Sequence, residues 1–501
     1  MASEKFRRQL RQEAELWWKE QLIDPAVYEK LSHRYQFASL EGEASNRFLM
    51  ILLGLGAVLL GLGAITWIAA NWQGWTRVIK VSVLLSGLIG VNVLGFYLWR
   101  SLGPSPAAVS RRRWGHALLV LGVFVLGANL GLLPQMFHQG GPVSVLFLLW
   151  GFCVTLMAYG LRLTSLGIAG MILLVIGYFS SLGALESPGP GVSAWAWASY
   201  GMPLLLVGLF LPLAYGCRSR ILFGLGAIAF ALSFDFNLFW GNGFWRNLWP
   251  NWLMGSLLFV VPALLWAFDR DMWQLSGVWR VRRRLPDRSV LGAERSLTEA
   301  FGAIARVIAL ILLCINLYAF SFHGLWQQTT DVETIAATRS LFDRWTWPLL
   351  IDEAVLLVAT FFGWLALMKQ FPGLNRLQLR ALNSAMVGLL IGVPVGLYLY
   401  AELVQPLPVI APYGLNILLA LLALGLIRDG LALGTRSLFW GGMVLLVLDI
   451  LTRMFEYDTA LMLKALAFSL CGVAVLVAGI WFERKSHRPA SQPELPVSSG
   501  S

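Results

Sequence analysis

Asp449 and Arg453 stand four residues apart, acid before base, at the outer end of an apolar stretch, a spacing that lets them pair across one helical turn. A charge in hydrocarbon is costly, so ionisable residues there are either functional or reaching for water. Asp235, Asp352, Glu353, Glu402, Glu456 and Asp458 fall near the ends of other apolar stretches, and Glu402 could share the neighbourhood of Asp449 and Arg453. Together these groups could line a polar vestibule that handles a cation, a proton or a polar substrate. Each of them alone could instead snorkel to water, as Arg306 and Lys464 are expected to do. Gln135 and His138, three residues apart where another apolar stretch ends, add an amide and an imidazole. They could contact a substrate or accept a proton, or simply be hydrated at the interface.

No other constellation in the chain carries chemistry. There is no GxxxxGK[ST] phosphate loop, no HExxH, no GxSxG and no Cys/His cluster, so no catalytic residue, cofactor site or metal site is assigned. The five histidines are scattered. Cys153, Cys217, Cys314 and Cys471 form no CxxC pair and fall within or beside apolar stretches, which argues against disulfides and zinc.

The elements that must position these residues are membrane spans. Hydrophobic residues make up 57% of the 501-residue chain and charged residues only 13%, well away from soluble domains at roughly 45–50% and 25%. Between Phe48 and Phe482 about fourteen stretches approach the ~20 residues that cross a bilayer. They read as 48–70, 78–99, 114–133, 143–161, 164–185, 195–216, 219–238, 251–268, 301–322, 349–368, 382–402, 412–427, 431–452 and 461–482. The predicted fold class is therefore all-α, a polytopic transmembrane helical bundle with a small N-terminal cytosolic helical hairpin. Its parts are the hairpin at 1–47, a bundle of about eight spans at 48–268, a basic cytoplasmic linker at 269–300, a bundle of about six spans at 301–482, and a disordered tail at 483–501.

Charge supplies the orientation. The net charge of +11 does not reside in residues 1–47, where eight basic and eight acidic side chains cancel. The excess lies in alternate loops: Arg100 with Arg111, Arg112 and Arg113; Arg162; Arg218 and Arg220; the run from Arg270 to Arg295; Lys369, Arg376 and Arg380; Arg428; and Arg484, Lys485 and Arg488. The opposite loops hold Arg77, Arg246, Arg339, Arg344 and Arg453, roughly a quarter as many. Lys and Arg mark the cytoplasmic side, so both termini are expected inside a bacterial plasma membrane. The same topological cause makes a nucleic-acid partner unnecessary. The first apolar run begins after about 47 polar residues and is long enough to stay as an anchor.

In the amino segment, Phe6, Leu10, Glu13 and Trp17 recur at helical spacing, and Asp24-Pro25 starts a second helix carrying Tyr28, Leu31 and Tyr35. This hairpin suits the membrane surface or a protein partner; its balanced charge lacks the footprint of a DNA reader. Within the spans, Gly54, Ala57, Gly61 and Ala64 in the first and Ser82, Ser86 and Gly90 in the second are spaced for close helix packing. Gly127 with Gly131, and Gly388, Gly392 and Gly396, repeat the pattern. Tryptophans crowd the outer ends, including Trp72, Trp75, Trp245, Trp249 and Trp326, as an interfacial belt that could also stack on sugars or headgroups.

Trp17, Leu22-Ile23, Tyr28 and Tyr35, then Leu52-Leu53-Gly54-Leu55-Gly56-Ala57, Gly61-Leu62-Gly63 and Ile68-Ala69-Ala70-Asn71-Trp72, resemble an uncharacterised family of predicted bacterial membrane proteins, domain of unknown function 2157. Asn129 to Leu133, Gln135-Met136-Phe137-His138, Gly140-Gly141 and Leu149-Trp150 extend the likeness over about residues 10–185. The resemblance implies a bacterial membrane location and a polar amino-terminal segment, and no activity.

Three functional classes follow. A transporter or lipid-linked flippase suits the many spans and Pro203, Pro212, Pro262 and Pro394, which could break helices around a pathway for a small-molecule or lipid-linked substrate. A non-transporting scaffold or assembly factor of the cell envelope would use the hairpin to dock proteins. A membrane-embedded enzyme ranks third, because no paired catalytic residues are visible. In each case the bilayer is a partner and no cofactor is required.

Overall fold

The computed structural model describes residues 4–35, 37, 59, 66, 70, 72–100, 105–138, 141–182, 198–239, 255–268, 288–326, 347–369, 377–456 and 460–486. Helices α1 (Glu4–Lys19) and α2 (Pro25–Tyr35) are followed by α3 (Arg77–Trp99), α4 (Pro106–Met136), α5 (Val143–Leu161), α6 (Thr164–Leu182), α7 (Met202–Cys217) and α8 (Arg220–Phe239). Then come α9 (Val260–Ala267), α10 (Arg288–Phe320), α11 (Trp347–Lys369), α12 (Leu377–Leu403), α13 (Ile410–Leu433), α14 (Arg436–Glu456) and α15 (Leu461–Ser486). There is no strand among the described residues. In lipid a helix satisfies its own backbone polar groups, which explains why apolar sequence of this length takes that form. Nine of the described helices are long and apolar enough to cross a membrane, and the apolar segments Met202–Cys217, Gly255–Ala267 and Leu461–Val477 are shorter.

The chain divides into two compact units, residues 1–94 and 95–501. In the first, α1 and α2 fold back on one another over Ala14 and Phe37, with Leu10, Trp17, Tyr28, Leu31 and Tyr35 packed around them. Asp24 starts α2 as expected, its carbonyl accepting the Val27 and Tyr28 amides at 2.8 and 3.1 Å. The small-residue face of the first span (Gly54, Ala57, Gly61, Ala64) lies outside the described residues. Ser82, Ser86 and Gly90 lie on α3, exposed among the described residues.

In the second unit one apolar core draws on helices from both sides of residues 269–300, from Val123 and Leu148 to Leu419 and Leu422. Phe223 of α8 stacks on Phe301 of α10 at 4.5 Å between ring centroids, joining helices assigned from sequence to different bundles. The most extensive helix contact among the described residues is the antiparallel pair α5–α6. A Cβ on Gly151 would stand 2.7 Å from the Leu174 amide nitrogen, one on Gly170 2.5 Å from the Thr155 hydroxyl, and one on Gly177 2.8 Å from the Leu148 amide. Only hydrogen fits at these three sites. The reversal between the helices is made at Arg162, which takes the left-handed conformation at φ 51°.

The other glycine expectations divide. Gly127 is required, because the Trp150 ring occupies the place of its Cβ while the indole N–H donates to the Val123 carbonyl at 2.9 Å. Gly131 and Gly388 face Leu146 and Trp364 at 4.0 and 3.3 Å. Gly392 and Gly396, expected to pack, meet no described atom within 4 Å. Their spacing places them on a helix face that no described neighbour covers. A Gly127→Val chain is expected to lose the Trp150 contact and a large part of its folded yield, whereas Gly392→Val should keep wild-type yield in a fluorescence-detected size-exclusion assay.

Candidate functional site

The polar residues anticipated from sequence separate into three groups. The first is a buried charge node where α10 ends against α13 and α14. Arg453, 8% exposed, lies 3.7 Å from the Asp449 carboxylate one turn earlier, so the expected pair forms as an ion contact rather than a hydrogen bond. Its guanidinium donates to the Ser321 carbonyl and the Ser321 hydroxyl, each at 3.0 Å, and to Glu456 one turn on. The group also sits 4.1 Å over the Phe322 ring, a cation–π contact. Glu456 in turn accepts the His323 backbone N–H at 2.6 Å, and Asn416 of α13 donates to the same Ser321 carbonyl at 3.2 Å.

The node has a physical cause. The chain after α10 leaves carbonyls without helical partners, and in an apolar setting these must be satisfied. Arg453 and Asn416 do so. Arg453, counted among outer-loop residues from sequence, is thus helical and buried, and its charge is bound into the fold. Glu402 lies on α12 near that helix's end, and its side chain is outside the described residues.

The second place is on α11. Asp352 and Glu353 are 4% and 6% exposed, inside apolar surroundings that include α9. One oxygen of each has no hydrogen-bond partner, and neither takes part in an ion pair among the described residues. Asp352 accepts a backbone hydrogen bond from Leu204 in the first turn of α7. That turn has free N–H groups and a positive dipole end, and Pro203 beside Leu204 has no N–H to give. Neither carboxylate reaches water by snorkelling, contrary to the sequence expectation.

The third group is not a single site: it lies at the end of α4 and, separately, near the end of α8. Gln135 and His138 are exposed, with the His138 amide donating to the Gln135 carbonyl at 3.2 Å and His138 in the left-handed region at φ 55°. Asp235 is half-buried with one oxygen unpartnered. Close by in sequence, Asn237 is tied to the Tyr178 hydroxyl at 2.7 Å and to the Tyr200 carbonyl at 2.8 Å. No group of three or more His, Cys, Asp or Glu able to hold a metal occurs among the described residues.

Sequence reasoning passed over Ser321, Asn416, Tyr178 and Asn237, which fasten the helices by hydrogen bonds. Nothing in their local sequence marks them, because their partners lie 37 to 132 residues away. Residues 15–167 match the family described as predicted membrane protein (DUF2157). The matched segment runs from α1 into the first turn of α6, a little inside the stretch of resemblance read from the sequence. No curated protein and no solved structure matches the chain.

Proposed function

We propose that this chain is a carrier of transporter or flippase type in a bacterial plasma membrane, with both termini cytoplasmic. Asp352 and Glu353 support this reading most directly. Two carboxylates more than nine-tenths buried in an apolar bundle, each with an oxygen left unpartnered, are expensive to keep for stability alone. Residues of this kind mark ion, proton or substrate pathways, and α11 also packs on α9.

Proteoliposomes test this directly. Wild-type protein should move either a headgroup-labelled fluorescent lipid, read by quencher access, or members of a labelled pool of small polar metabolites. Glu353→Gln should reduce that flux at least tenfold at unchanged protein content. Flux that is indifferent to Glu353→Gln, or absent from wild type in both assays, overturns the carrier reading.

A second reading, an assembly factor, rests on the hairpin. Around its turn Leu16, Trp18, Leu22 and Val27 are 49%, 46%, 68% and 44% exposed, more apolar surface than a self-contained hairpin shows. Photocrosslinking from position 18 in cells should then give one discrete protein adduct; labelling of lipid alone would leave the carrier. Topology has its own test. Reporter fusions after Ala107 and Arg284 should signal cytoplasm, and fusions after Pro188 and Gln327 the outer side. A cytoplasmic signal from Pro188 would overturn the fourteen-span arrangement.

A further inference from the structure

We infer that the end of the bundle formed by α3, α4, the α5–α6 turn and the α7–α8 turn is a binding surface for the phosphate headgroup of anionic phospholipids. Four contacts gather this end from segments distant in sequence. A Cβ on Gly115 would stand 2.2 Å from the Trp99 amide nitrogen, so the end of α3 and the start of α4 touch backbone to backbone. Arg112 lies over the Trp99 ring at 6.0 Å. His116 of α4 meets Ser165 at 2.6 Å, which brings the Arg162 turn alongside. Thr164 in turn makes a side-chain hydrogen bond with Cys217, next to Arg218.

These contacts collect Arg100, Arg111, Arg112, Arg113, Arg162 and Arg218 at one end, and none has an acidic partner among the described residues. The sequence explains why: from Gly95 to Phe234 the only acidic residue is Glu186. The surface is also built in advance. Helix α4 has 31 residues, about 46 Å against a hydrocarbon core of ~30 Å, so its first turns stand in the headgroup layer. Ser105 caps it, accepting the Ala108 amide at 3.3 Å, and Pro106 occupies its first turn. Arg111, Arg112 and Arg113 are exposed on a helix rather than a loop, and half-exposed Trp114 stands beside them at the depth aromatic belts occupy. A guanidinium fork recognises a phosphate diester by paired N–H groups, and uncompensated arginines at this depth attract anionic lipid.

The placement of this surface in the cytoplasmic leaflet rests on the orientation proposed above; the binding itself does not. Full-length protein purified in a neutral detergent, titrated with phosphatidylglycerol and followed by native mass spectrometry, should show saturable retention that weakens with salt. Phosphatidylcholine of the same chain length should not be retained. The triple variant R111Q/R112Q/R113Q should bind about a hundredfold more weakly, at about fivefold per arginine. Arg162→Gln should lose about fivefold and decides the matter if the triple variant fails to fold. Arg428→Gln, whose arginine is 75% exposed and already beside Asp429 at 3.4 Å, should bind as wild type. Equal retention of the two lipids, or wild-type binding by both the triple variant and Arg162→Gln, overturns the proposal. Tight binding of inorganic phosphate alone would overturn it in favour of a free-anion site. An outer-side signal from the Ala107 fusion would move the surface to the other leaflet while leaving the binding result unchanged.

Discussion

Replacing Arg453 by leucine is expected to abolish accumulation of folded protein, the largest effect of any charge substitution in this chain. The change removes two donors from Ser321 and leaves the buried Asp449 and the half-buried Glu456 carboxylates without their cation. Removing one partner of a buried ion pair costs about 3–5 kcal/mol, a large part of the total stability of an ordinary domain. The two carboxylates should differ. Glu456 holds both the guanidinium and the His323 amide, whereas the nearest Asp449 oxygen stands 3.7 Å from the guanidinium and makes no hydrogen bond. Glu456→Ala should therefore lower the thermal unfolding temperature clearly and Asp449→Asn only slightly, measured on purified protein in one detergent. Partial recovery of yield in R453L/E456Q relative to R453L would confirm that the stranded carboxylate, rather than lost packing, is the cause. An Asp449→Asn protein of normal abundance with no flux would instead assign Asp449 to the transport path.

Gly151→Leu should be comparably severe for a different reason. The obstruction there is backbone: a Cβ would stand 2.7 Å from the Leu174 nitrogen and 2.9 Å from the Gly170 carbonyl oxygen, and neither can turn aside as a side-chain tip can. The helices must separate, and with them goes the contact between Thr155 and Gly170. Overpacking a close contact costs about 1–3 kcal/mol even for modest insertions, so alanine at Gly151 should already lower the unfolding temperature and leucine should prevent recovery of monodisperse protein. Gly160→Leu, on α5 with nothing within 4 Å, is the matched control and should behave as wild type. Equal yields from Gly151→Leu and Gly160→Leu would remove the close-packing account of this seam.

The sequence by itself determined that the chain is an all-α membrane bundle headed by a helical hairpin. Span length and composition are local properties, and bilayer thickness converts them directly into helices. It also determined that Asp449 and Arg453 pair, since four residues is one turn of any helix. The α5–α6 seam was not singled out from sequence, although Gly167, Gly170, Gly177 and Ser181 recur every three, four or seven residues, because many other stretches of the chain carry the same small-residue spacing. Only the tertiary structure decided which small-residue faces meet a neighbour, because spacing marks a face without naming what covers it: Gly170 is closed by Thr155, while Gly392 is open. It decided as well that Arg453 is spent on Ser321, that Asp352 meets the first turn of α7, and that Glu353 is left with an unpartnered oxygen. Hydrogen-bond partners more than a hundred residues apart leave no periodic trace. In a chain where nearly every span is apolar, burial of a charge depends on which helix lies across from it.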